Sequence, residues 1–166
     1  MNIHLPSPLF RIYAFASATI RLLERWLTPL FDLGIRLYVG EVFFRAGWLK
    51  ITAWSNTLDL FDYVYQVPVL PTHVAAVMGT AGELCLPVLL VLGLAGRFAA
   101  AGLFVTNLVA AISFPDISDL GLQDHVLWGS LLLVLVFHGP GRLSLDNMTA
   151  LLPRVTGHSF TRGVAR

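Results

Sequence analysis

At 166 residues, 56% of them hydrophobic and only 13% charged, the chain has too little charge to clothe a water-soluble domain of its size. A formal net charge of +1 leaves no basic face for nucleic acid, and the single cysteine, Cys85, excludes an intramolecular disulfide, a CxxC redox pair and a cysteine-based structural zinc site. With a mean hydropathy of +0.73, the expected solvent is lipid.

The N-terminal stretch contains Ala16-Ser17-Ala18, which resembles a signal-peptidase site. The apolar run before it is too short for an h-region and Arg21, Glu24 and Arg25 follow directly, so the segment is expected to be retained. From Leu9 to Leu27, arginines alternate with Phe10, Tyr13, Phe15, Leu22, Leu23 and Trp26, a mixture that suits an amphipathic helix lying on the membrane surface. Four segments then match the length of about 20 residues needed to cross a bilayer. They are Phe31 to Leu49, Val74 to Leu94, Phe98 to Phe114 and Gly121 to Phe137. Their short connections predict an all-α, four-transmembrane-helix bundle. Residues 1–28 form its interfacial segment, 29–146 the membrane domain and 147–166 a cytoplasmic tail. The longer connection from Ala53 to Thr72 has its own apolar pattern, Leu58, Phe61, Val64 and Tyr65, and predicts a short interfacial helix over the mouth of the bundle.

Basic residues set the orientation. Arg11, Arg21, Arg25, Arg97, Arg142, Arg154, Arg162 and Arg166 fall on one side and Lys50 alone on the other, which predicts cytoplasmic N and C termini. The first segment is the least apolar, with Asp32, Arg36, Glu41 and Arg45, and is expected to line the bundle interior. At about 1.5 Å per residue, Glu41 lies about 18 Å from the inner face and Glu83 about 15 Å from the outer one, so the two carboxylates are expected to meet near the midplane. Asn107 falls at a similar level, with Arg45 one turn from Glu41. A polar ligand site is therefore expected from Glu41, Arg45, Glu83 and Asn107, with Trp48, His125, Trp128 and Ser130 toward its outer side. A network that only holds the helices together is the competing reading. Interfacial histidines such as His73 and His125 read first as boundary residues, so no metal is expected. Gly40 with Gly47, and Gly79 with Gly82, read as close-packing positions, and Cys85 as a small buried residue.

Arg36-Leu-Tyr-Val-Gly40 followed by Phe44, Gly47 and Lys50 forms an R-x-x-x-G…G-x-x-K pattern. Gly82-Glu83 precedes a Leu-rich run to Gly93, and Gly139-Pro140-Gly141-Arg142-Leu143-Ser144-Leu145-Asp146 follows the last span. In these features, from about Gly34 to Asp146, the chain resembles the DoxX family of small four-helix membrane proteins. The resemblance implies a multi-pass protein of the bacterial inner membrane. It also implies kinship with subunits of quinone-reducing oxidoreductases and with members of redox-stress complexes. Arg36, Lys50, Glu83 and the glycines fit the family pattern, whereas Glu41 and Arg45 stand where apolar residues are more usual.

The leading expectation is accordingly a quinone-linked or redox-stress-associated membrane subunit. Quinone is its candidate cofactor, and its partners are the lipid bilayer, a soluble redox or biosynthetic protein and a second copy of itself. Catalytic residues are not assignable, and no flavin, haem or iron-sulfur motif is present. A non-catalytic anchor or maturation and export helper, or a small transporter subunit, are the alternatives.

Overall fold

The computed structural model describes residues 8–151. The first seven residues and the tail from 152 onward, with Arg154, Arg162 and Arg166, lie outside the described residues. Within them the chain is all helix and turn: α1 (Pro8–Thr52), α2 (Trp54–Tyr63), α3 (Thr72–Leu92), α4 (Gly96–Ser113), α5 (Asp119–His138) and α6 (Leu145–Leu151). Three helices, α3, α4 and α5, are long and apolar enough to cross a membrane. Their ends fall within two residues of those expected. α2 is the helix expected in the long connection.

α1 differs from expectation. A surface helix ending near Leu27 and a span starting at Phe31 are instead one helix of 45 residues that runs through Pro29. Proline removes one backbone N–H, and the carbonyl it would have served is that of Arg25. That residue lies in an exposed stretch where solvent can take over the bond, so nothing forces a break. Beyond Pro29 the helix is amphipathic: Asp32, Ile35, Arg36, Val39, Gly40, Phe43 and Gly47 are buried, at the three-and-four spacing of a single helical face.

That face packs along α3, α3 packs on α4, and α4 on α5, whereas α1 and α5 touch only sparsely. The bundle therefore has a continuous spine and a thin seam. Its core is Val39, Phe43, Leu90, Ala99, Ala100, Leu103, Leu132 and Leu135 with their neighbours. A smaller cluster of Phe61, Ala75 and Ala76 seats α2 against the first half of α3. The register of α1 on α3 is set by two glycines, since a Cβ on Gly40 would lie 2.5 Å from Val91 and one on Gly47 2.9 Å from the Glu83 Cβ. Gly79 and Gly82 need no such explanation. A Cβ there would make ordinary contacts, 3.8 Å to Phe61 and 3.5 Å to Thr106.

The turn from α3 to α4 is stopped by Gly93 in the left-handed conformation (φ 68°), which lets the N–H groups of Gly93 and Leu94 turn back onto Leu90 and Leu89. The next helix is capped from afar. The Asp146 carboxylate accepts from Ala95 N at 2.9 Å and Gly96 N at 2.8 Å, placing its charge on the positive end of α4.

Candidate functional site

The side chains expected to share one ligand site are distributed over three places. Glu41 and Arg45 form a loose pair, 3.7 Å apart, on the outward face of α1, with side chains 67% and 83% exposed. Trp48 lies on the same outer side, stacked on Phe44 with ring centroids 6.3 Å apart. Glu83 is buried, as expected of an isolated carboxylate in an apolar helix, but it does not meet Glu41. Because Gly47 is the residue that touches it, Glu41 sits nearly two turns away along α1. The partner of Glu83 is Lys50, whose Nζ lies 2.5 Å from Oε2.

The Lys50–Glu83 pair ties the last turn of α1 to the middle of α3. Thr57 of α2 donates to the Lys50 carbonyl at 2.9 Å, so the same residue anchors three helices. Pro87, four residues beyond Glu83, removes the N–H that would have served the Glu83 carbonyl, leaving a backbone acceptor beside the carboxylate. Over this pair the connection after α2 packs Tyr65 edge-on between Phe61 and Phe114. Burial raises the Tyr65 phenol above its ordinary pKa, and the Glu83 charge adds to the shift.

A second cluster lies where α4 and α5 meet the seam with α1. Asn107 is buried and donates its Nδ2 to the His125 carbonyl at 2.9 Å, while its Oδ1 lies 2.8 Å from His125 Nδ1. A carbonyl only accepts, so the amide has one possible orientation, and Nδ1 must carry the imidazole proton. In the neutral ring Nε2 is then an acceptor, with no hydrogen-bond partner among the described residues. Trp128 packs edge-on against both His125 and Phe43, and its indole N–H donates to the Tyr38 hydroxyl at 3.3 Å, closing the seam. Ser130 does not join; it is exposed and donates back to the Val126 carbonyl.

The third polar centre, at the opposite end of the bundle, was not anticipated as a site. Asp32, almost wholly buried, accepts from His138 Nδ1 at 3.1 Å. Fully buried Arg36 donates to the Leu143 carbonyl at 2.6 Å, and its Nε and Nη1 have no partner among the described residues. Beside them opens a cavity of about 620 Å³ lined in part by Glu24, Asp32, Arg97, His138, Arg142 and Asp146. The sequence signal for it is the Gly139 to Asp146 stretch: a Cβ on Gly141 would overlap Asp32, so this segment can lie on the carboxylate only as glycine.

Among the described residues no three His, Cys, Asp or Glu side chains gather as ligands of a metal ion, and His73 instead packs edge-on against Trp54. Cys85, read from sequence as buried, is exposed on α3.

The DoxX family model matches residues 31–116, just over half of the chain. A protein of Haemophilus influenzae, named only as uncharacterized, is 27% identical over 122 residues, covering 69% of this chain and 80% of its own. No solved structure matches the chain.

Proposed function

The chain belongs to the DoxX family, and on that premise we propose that it is a quinone-linked membrane subunit whose head-group site is the seam at His125, Asn107 and Trp128. Residues 31–52 of α1 act as the fourth span, in a bacterial inner membrane with both termini cytoplasmic. The burial of Asp32 and Arg36 against the other helices supports the span, because it takes those charges out of lipid. The excess of arginine at the ends supports the orientation.

The observation that carries the reading is the fixed tautomer of His125. Its Nε2, on a half-buried ring packed edge-on against the Trp128 indole, would serve as general base for a ligand arriving sideways from the bilayer. Nε2 would hold a quinone head group by accepting a hydrogen bond from its hydroxyl form, and the quinone, when bound, would supply the redox chemistry in exchange with a redox centre on a partner protein. Trp128 and Tyr38 would flank the ring. The expected eight-residue site is thereby narrowed to Asn107, His125 and Trp128, with Lys50–Glu83 holding α1 at the height that brings Tyr38 to the seam.

Quinone content of the protein purified from native membranes in mild detergent tests this. Asn107→Leu releases the imidazole and should lower bound quinone at least tenfold while the purified protein keeps its helix content. Equal quinone in wild type and variant, or none in either, would sink the reading.

One observation favours a second function. The cavity at the Asp32–His138 end is open and lined by charges of both signs, as a docking site for a soluble partner would be. A non-catalytic anchor or maturation helper would use that cavity and be indifferent to Asn107→Leu.

A further inference from the structure

The outward face of α1 holds a glutamate and an arginine that the fold itself does not cover. Glu41 and Arg45 are mostly exposed, their single mutual contact is 3.7 Å, and around them Leu37, Phe44, Trp48 and Leu49 are exposed as well. The contact of Gly47 with Glu83 puts Arg45 level with the middle of α3, about 10 Å or more of helix from either end. In hydrocarbon an arginine at that depth costs several kcal/mol unless its charge and its five N–H donors are met. A glutamate one turn away meets only part of that demand. Something other than lipid must cover the face.

We propose that it is covered by the same face of a second copy, giving a dimer about a two-fold axis along the membrane normal. This rests on the reading that α1 crosses the membrane. The argument for self-association is the pattern of charge. A stripe of one sign would call for a partner of the opposite sign, whereas one acid and one base a turn apart are complementary to themselves. In a parallel pair Arg45 of one copy lies one turn, about 6 Å, above Glu41 of the other. Helical side chains lean toward the N-terminus, so each guanidinium leans toward the level of the opposite carboxylate. Two acids and two bases then close a neutral ring, and Phe44 and Trp48 beside it are withdrawn from lipid.

The test is subunit counting by single-molecule photobleaching in liposomes of bacterial phospholipid, over a range of protein densities. Wild type should dimerise. Arg45→Glu places four acids at the interface and Glu41→Arg four bases, and each alone should weaken dimers at least tenfold. Mixed together, the two variants should form heterodimers, and the exchange Glu41→Arg with Arg45→Glu in one chain should restore homodimers. Recovery in the mixture shows that each single variant is folded. A monomeric wild type, or single variants that dimerise as wild type does, would overturn the proposal. Impermeant-maleimide labelling of Asn56→Cys in a Cys85→Ser background, from the periplasmic side, reports separately on whether α1 crosses. Crossing without dimers refutes the dimer alone.

Discussion

At the scale of single residues, Glu83 shows how far a one-dimensional reading reaches. An isolated carboxylate in an apolar helix had to be buried and paired, and it is; its partner was misassigned. Depth counted from the inner face brought Glu41 to its level, but the register of α1 on α3 is set by what fits against Gly40 and Gly47, and that brings Lys50. Steric register is a property of two surfaces and is not legible in either alone. The pair yields a prediction. Glu83→Ala leaves an ammonium without a counter-charge and should lower stability by roughly 3–5 kcal/mol. Replacing Lys50 and Glu83 together by methionine should restore most of it, since packing substitutes well for a desolvated pair. Thermal denaturation in detergent, followed by helix content, measures both. A double variant no more stable than Glu83→Ala would assign the loss to the carboxylate's own packing.

At the scale of elements, helix existence and ends were readable because they depend on local composition and stop signals. Gly93 and Pro115 follow the ends of α3 and α4, and the helix expected between Ala53 and Thr72 is α2, with Val64 and Tyr65 of its apolar pattern just beyond its end. The cap on α4 was not readable, since its donors and its acceptor are about 50 residues apart in the chain. Asp146→Ala should cost about 1–2 kcal/mol through the loss of that cap, with Asp146→Asn intermediate because one oxygen and the charge go. Gly47→Val should be worse than Gly34→Val. A side chain at position 47 meets both Glu83 and Leu84, whereas one at 34 meets nothing within 4 Å. Overpacking of that kind costs about 1–3 kcal/mol, and fluorescence-detected size exclusion after heating would rank the two variants.

At the scale of the whole molecule, orientation is the property most directly tied to sequence. In the Cys85→Ser background, Arg142→Cys should react with impermeant maleimide only after the inner membrane is permeabilised; reaction in intact spheroplasts would invert the topology. The arrangement of the four long helices was less legible, because nothing in their composition says which neighbours touch closely. Mechanically, the molecule is a book, with α3 and α4 as its spine and α1 and α5 as its covers. Trp128 and Tyr38 are the clasp. Parting the covers at that level takes the loss of one indole–hydroxyl bond and of the Phe43–Trp128 contact, while the Asp32–His138 bond still holds them at the far end.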